Sequence, residues 1–320
     1  MDAAARPLSV ALPEEFRSRV AALEAALGTG LLDALQQRPR PVFRVNRLRT
    51  TQDAVLRDPV IAALSPAPVE GLPATFHVAE TTRSALTASE PVSAGAIHVQ
   101  NPSSQRAARL LGARPDERVL DLAAAPGGKT LVLAELMDDR GELVAVEPVA
   151  ARFHKMRELL QRGNATCVRT VRADGRRLAR HLHGTFDRVL LDAPCSSEAR
   201  FAQDPEQAER RWSLQKIRDM TSKQWGLLGT AFACLREGGE LVYATCSFAP
   251  EENEQNVAAL LRRHPGEVEL LPVDVGAGVT TVPGLCAWGK KRWPEELAMT
   301  RRIVPDALHE GFFVARLRRR

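Results

Sequence analysis

The sequence predicts a doubly wound α/β protein, a parallel sheet with helices on both faces, preceded by a small α+β module. Three observations carry this. From residue 117 onward, short apolar runs alternate with stretches of helical spacing, as for strands buried on both faces and joined by crossover helices. Each run stops at a polar or turn-forming cluster, where such sheets gather ligands beyond the carboxyl ends of their strands. The first hundred residues lack this rhythm, so the chain is expected to divide into 1–100 and 101–320.

Residues 13–27 (PEEFRSRVAALEAAL) have the apolar spacing of a helix with Pro at its start. PVFRVNRLR (41–49) alternates like a strand, 52–64 reads as a short helix, 65–73 is turn-rich, and 74–79 is a second strand. In the second unit ERVLDLA (117–123) is a strand that stops at Pro-Gly-Gly, and KTLVLAELM (129–137) is the helix after it. LVAVE (143–147) and the helix 148–162 follow, then the strands CVRTVRAD (167–174), FDRVLLDAP (186–194) and GGELVYAT (238–245). EGFFVARLRR (310–319) closes the pattern as an edge strand of antiparallel sense.

At 320 residues and 44% hydrophobic content the chain can bury a sizeable core. A net charge of +5 leans mildly toward anionic partners. Ten arginines and ten acids cancel within residues 1–100, so the surplus lies in the second unit. Cys167, Cys195, Cys234, Cys246 and Cys286 form no C-x-x-C pair and suggest neither a zinc site nor a disulfide framework. There is no signal-like start and no apolar run long enough to span a bilayer, so a cytoplasmic protein is expected, with no membrane and no metal.

The strand ends hold the residues with chemistry. In DLAAAPGGKT (121–130), small residues and two glycines let backbone approach a ligand at a helix N-terminus. Gly128-Lys129-Thr130 also matches the tail of a phosphate-binding loop, but Ala123 stands where that loop needs Gly, and Pro126 removes an amide donor. A P-loop NTPase is therefore the lesser alternative. Glu147 ends the second strand, placed for the two hydroxyls of a ribose, and Asp174 ends the third, within reach of an adenine amine. Together they suit an adenosine cofactor without phosphates, S-adenosylmethionine. The fourth strand ends in Asp192-Ala193-Pro194-Cys195 and the fifth in Thr245-Cys246-Ser247, so neighbouring strands would bring the two cysteines together. A thiolate adding to carbon 6 of cytosine makes carbon 5 nucleophilic toward a methyl sulfonium, and Asp192 is the natural acid for ring nitrogen 3.

These motifs resemble the Sun-type (RsmB-like, NSUN) RNA cytosine carbon-5 methyltransferases. The resemblance covers roughly residues 97–320 and rests on IHVQNPSSQ (97–105), VLDLAAAPGGKT (119–130), VAVEPVAAR (144–152), DRVLLDAPCSS (187–197), LVYATCSFAPEENE (241–254) and EGFFVARL (310–317). It implies a seven-stranded, Rossmann-like class I methyltransferase sheet. Cofactor contacts would come from Ala123, Ala124, Ala125, Pro126, Gly127, Gly128, Lys129, Glu147, Arg152, Asp174 and Asp192. It makes Cys246 the nucleophile, Cys195 the residue that assists product release, and Lys129 an active-site lysine. RNA is the implied partner, ribosomal in preference to transfer RNA, for a chain acting as a monomer. An assembly factor that keeps the fold without turnover is the other alternative. The chain departs from the family at Ser197-Glu198, where Gly commonly follows DAPCS, on a loop expected to face the RNA.

Arg38, Arg40, Arg44, Arg47 and Arg49 form a cluster suited either to RNA phosphates or to solvent. The tail arginines 316, 318, 319 and 320 read as solvated. Trp288 and Trp293 flank Gly-Lys-Lys-Arg, a pattern that fits an RNA surface or core packing equally. Cys167, Cys234 and Cys286 read as packing residues.

Overall fold

The computed structural model describes residues 12–35, 38–201 and 212–320. A central mixed sheet carries the fold. Its parallel part runs β7 (Val168–Val171), β6 (Glu142–Val146), β5 (Arg118–Asp121), β8 (Phe186–Asp192) and β9 (Leu235–Thr245), and β15 (Phe312–Arg319) adds antiparallel to β9. The order reverses between β5 and β8, the point at which such sheets open a ligand crevice.

Burial on both faces is read directly from the strands. Val119 and Leu190 face one hydrophobic cluster while their neighbours Leu120 and Val189 face the other. This period of two, apolar on both sides, is why the sequence shows continuous apolar runs rather than alternation.

Among the described residues the sheet has nine strands where seven are expected. Beyond β15 the edge is shared by two short strands, β10 (Val268–Leu271) pairing with residues 316–319, and β14 (Arg301–Ile303) pairing with residues 312–314. β11 (Thr281–Pro283) then pairs with β14. The eight-residue β15 is long enough to take two partners end to end, and four- and three-residue strands leave too little periodicity to be seen in sequence.

A four-stranded antiparallel sheet, β2 (Ala67–Pro68), β3 (Thr75–His77), β1 (Val42–Val45) and β4 (Ile97–Val99), forms the small module. Phe43, Ile61, Phe76, Leu86 and Ile97 make its core. The helix expected over 52–64 is two, Gln52–Arg57 and Pro59–Ala63. Asp58 leaves the helical region at ψ 126° and its carboxylate accepts the Val60 and Ile61 amides, starting a second helix with Pro59 in its first turn.

The first helix, Glu14–Leu27, packs elsewhere. Its buried residues Phe16, Val20 and Leu23 join the core of the large sheet, and the Phe16 ring lies 5.2 Å from Phe201 and 5.6 Å from Trp212. Chain order thus places it before the module, while packing places it with the larger unit.

Buried arginines weld the units together. Arg44 of β1 is fully buried, ion-paired to Glu135 on the helix Gly128–Leu136, and its Nε donates to Gln100 at 3.0 Å. This corrects its place in the surface cluster, although Arg38, Arg40, Arg47 and Arg49 are exposed. Arg106 donates to the carbonyls of Glu70 at 2.7 Å and Val275 at 2.8 Å. The tail arginines are less free than expected: Arg316 and Arg318 pair with Glu240 at 2.7 and 2.9 Å, and Arg319 donates to the Leu235 carbonyl at 2.7 Å. Cys234 is buried in the core, and Cys167 and Cys286 pack against it half-buried. No described helix is long and apolar enough to cross a membrane.

Replacing Glu135 by Ala leaves the Arg44 guanidinium buried without its counter-charge, which costs about 3–5 kcal/mol. Urea denaturation of Glu135→Ala is expected to show a loss of this size. A loss below about 1 kcal/mol would remove the pair from the forces that dock the module.

Candidate active site

The candidate side chains stand beyond the carboxyl ends of β5, β6, β7, β8 and β9, around a cavity of about 460 Å³. Its walls include Ala123, Ala124, Ala125, Pro126, Gly128, Lys129, Glu147, Arg152, Asp174, Asp192, Cys195 and Cys246. Gly127 alone of the expected residues does not line it. Gly127 makes the turn into the helix at φ 106°, a conformation that favours glycine, and faces Met156 and Leu159. Gly128 is small for a different reason: a Cβ there would stand 2.8 Å from His98 Nε2. His98, Gln100, Asn101 and Ser104 complete this wall, so the end of β4 takes part in the site. Burial, with Arg44 and Arg162 nearby, pushes the His98 pKa down to about 3, so it is a neutral imidazole.

At the cofactor end, Glu147 is 2% exposed; its Oε1 accepts the Val149 amide at 2.9 Å and its Oε2 lies 3.4 Å from Arg152. Arg152 also donates to the Ala125 carbonyl at 2.8 Å, tying the helix Ala150–Arg162 to the loop. Asp174 caps the short helix Gly175–Arg177 and is held below its ordinary pKa by Arg176, 2.6 Å away. Beneath the loop, Asp121 accepts from Thr130 at 2.8 Å while its other oxygen has no partner, and burial raises its pKa to about 7.

At the other end, the parallel register of β8 and β9 sets Asp192 opposite Ala244 and brings the Cys195 and Cys246 sulfurs to 3.2 Å. Both thiols are free. Cys246 is held below its ordinary pKa by the hydrogen bond from Cys195, helped by the Arg200 guanidinium and opposed by burial. Cys195 is raised by the same bond and by burial, so the two shifts make Cys195 the donor and Cys246 the acceptor of that bond. The charge on Cys246 in turn raises Arg200. Lys129 Nζ donates to Asp192 at 2.6 Å and lies 5.2 Å from the Phe312 ring centroid.

Two buried acids brace the cysteine loops. Glu198 does not face outward as expected. It is 3% exposed and accepts from Trp212 Nε1 at 2.7 Å and from the Phe248 and Ala249 amides at 2.9 Å each. Ser197 sits at φ 61°, in the left-handed region that favours glycine, and this turn points Glu198 inward. Glu252 accepts the Ser196 amide at 3.0 Å, Gln224 Nε2 at 2.6 Å and Ser247 Oγ at 2.8 Å. Ser247 Oγ also lies 3.1 Å from Glu198. One hydroxyl proton cannot serve two carboxylates, and burial raises the Glu252 pKa to about 7, so Glu252 is the carboxyl able to hold a shared proton toward Ser247.

Comparison with known proteins agrees with this geometry. The profile of the family described as 16S rRNA methyltransferase RsmB/F matches residues 108–318. The chain belongs to this family. It is 35% identical over 323 residues to the ribosomal RNA small subunit methyltransferase F of Cronobacter sakazakii, covering 97% of this chain and 64% of the relative. A relative of the same description from Escherichia coli O157:H7 is 33% identical over 319 residues, with the same coverage. The chain therefore spans just under two thirds of the length of these curated relatives. Among solved structures, a methyltransferase homologue from Pyrococcus horikoshii superposes with a TM-score of 0.79 at 26% identity, over 97% of this chain and all of the other. Family membership leaves no place for the P-loop reading.

Sequence reasoning missed Arg200, Glu252, Gln224 and the β4 wall. Arg200 and Gln224 carry no motif signal, since only folding brings them to the cysteines. Glu252 lies within the quoted EENE run, and its place six residues after Cys246 was the one available clue.

A carboxyl whose pKa rises from 4.5 to about 7 on folding stabilises the fold fully below about pH 4.5 and loses that contribution as pH rises through 7. Glu252→Gln preserves an acceptor for Gln224 and a polar partner for Ser247 without the titration. Its melting temperature is expected to fall less than that of the unaltered protein from about pH 5 to about pH 8. Parallel curves would show that Glu252 does not carry the shared proton.

Proposed function

We propose that the chain transfers a methyl group from S-adenosylmethionine to carbon 5 of a cytosine in RNA, through a covalent bond between Cys246 and the base. The hydrogen-bonded pair of Cys246 and Cys195 at the end of the cavity, with the Cys246 pKa held down, carries this reading. Ribosomal RNA is the proposed substrate class, because the family and its relatives are described as ribosomal RNA methyltransferases.

The residues present fit the cofactor. Glu147 offers a buried carboxylate to a ribose diol, Asp174 an acceptor to the adenine amine, and the 123–128 loop a wall without bulky side chains. When bound, the cofactor supplies an electrophilic methyl group.

Every other part falls to this chain. Cys246, whose ionisation the Cys195 hydrogen bond and Arg200 favour, adds as thiolate to carbon 6 of the cytosine, and the displaced electron pair runs through carbon 5 toward ring nitrogen 3. The Lys129–Asp192 pair, at 2.6 Å, supplies the proton at that nitrogen. After methylation the carbon 5 proton passes to solvent water, its electron pair re-forms the 5,6 double bond and expels Cys246 as thiolate, and ring nitrogen 3 returns its proton to the Lys129–Asp192 pair. The hydrogen bond from Cys195 stabilises that leaving thiolate, so one contact serves both attack and release. The small module, which contributes His98 and Gln100 to the wall, is proposed as the RNA-contacting unit, with Arg40, Arg47 and Arg49 on phosphates.

Cys246→Ala is expected to abolish both methylation and any protein–RNA adduct. Cys195→Ala, which loses the hydrogen bond that favours the Cys246 thiolate, is expected to attack more slowly, methylate once and then stall with RNA attached, in a species that survives denaturing gels and disappears on nuclease treatment. An adduct in Cys246→Ala and none in Cys195→Ala would exchange the two roles. In calorimetry, Glu147→Ala is expected to weaken S-adenosylmethionine binding by about 1–3 kcal/mol. Unchanged affinity would place the ribose elsewhere.

A further inference from the structure

A second groove, of about 890 Å³, lies on the far side of the helix Leu214–Cys234 from the catalytic cavity. Its other walls are the helix Glu254–Arg263 and the hairpin of β12 (Ala287–Trp288) and β13 (Lys291–Arg292). Five cations line it, Arg218, Arg262, Arg263, Lys291 and Arg292, against the single carboxylate of Glu251, which Arg19 already neutralises at 2.7 Å. Among the described residues, none of the five has an ion-pair partner: Arg218 and Lys291 bond to Gln215 and Gln255, and Arg292 bonds only to carbonyls. Trp225, 37% exposed, is the one aromatic among the large apolar side chains that stand exposed in the described residues, and it faces this groove with Trp293.

Gathering unpaired like charges is unfavourable for the folded chain alone, and a polyanion relieves it. An aromatic face among cations is the arrangement that holds single-stranded nucleic acid, by stacking a base and pairing the phosphates beside it. The groove also shares a wall with the catalytic site. Lys223 lines the cavity and Trp225 the groove, while Gln224 between them is buried and donates to the Pro194 carbonyl and to Glu252. Glu251 and Glu252 divide in the same way, one toward the groove and one toward the Cys195 loop.

We propose that this groove binds a single-stranded stretch of the substrate RNA flanking the target cytosine, with a base stacked on Trp225 and phosphates on Arg262 and Arg263. The proposal rests on the RNA methyltransferase reading and assigns it a second contact surface outside the catalytic cavity. A cytosine must be out of a helix to reach a buried thiol, and a single-stranded target presents it together with the unpaired flank that such a groove accepts.

The test uses the full chain and a fluorescent 20-nucleotide single-stranded RNA of mixed sequence, followed by anisotropy across a salt series, with S-adenosylmethionine affinity measured beside it. The double variant Arg262→Glu/Arg263→Glu is expected to bind RNA at least tenfold more weakly. The slope of its affinity against salt should fall by about 1.4, since each single-strand phosphate contact contributes about 0.7. Trp225→Ala should lose about fivefold or more with the slope unchanged. Both should keep cofactor affinity within about twofold, which also shows that they fold; the milder Arg262→Gln/Arg263→Gln variant serves if charge reversal disrupts folding. RNA affinity and slope equal to those of the unaltered chain would overturn the proposal. So would equal competition by duplex RNA of the same length, or a self-association lost in the variants while RNA binding persists. If the unaltered chain binds RNA through this groove but never methylates it, the methyltransferase reading fails and the groove stands. If it methylates and the variants bind RNA normally, the reverse holds.

Discussion

The parallel pairing of β8 with β9 sets the distance on which the site depends. The register places Asp192 beside Ala244, so the two chains leave the sheet side by side and carry their cysteines to a sulfur–sulfur distance of 3.2 Å. At that separation the thiols are hydrogen-bonded, and the same bond raises the Cys195 pKa and lowers that of Cys246. A slip by one residue would turn one cysteine to the opposite face of the sheet and break the pair.

Loops held only at their strand ends would not keep that distance, and the buried acids supply the missing constraint. Glu198 gathers the Phe248 and Ala249 amides, Glu252 takes the Ser196 amide, and Ser247 joins the two carboxyls. The loop after β8 is thus bonded to the loop after β9 through groups that water does not reach. Such a network is costly when incomplete and specific when satisfied. It also fixes Gln224, and with it the helix that separates the catalytic cavity from the basic groove.

The small module serves the same end from the other side. Arg44 reaches through to Glu135, and His98 and Gln100 come against Gly128, so the cofactor-side loop is packed between its own helix and a strand of another unit. The exposed arginines of that module and the cations of the second groove then lie on separate surfaces. Charge in this chain is therefore divided between buried pairs that hold the units together and exposed groups left for an anionic partner.

The sequence by itself determined the sheet class and the succession of its main strands along the chain, and it placed the candidate residues at their ends. Those features are local: an apolar run that stops at a turn carries its own terminus, and Asp192, Cys195 and Cys246 sit directly after such runs. It did not determine which polar residues turn inward. Arg44 in a row of arginines and Glu198 beside a loop serine read as surface, because charge is normally solvated, and only a partner brought from far along the chain, Glu135 or Trp212, makes burial favourable. The first helix shows the same limit: its apolar face was legible, but the neighbour that covers it was not. Tertiary structure decided these points because the energy of a buried charge or an apolar stripe depends on what lies opposite, and sequence order does not record that.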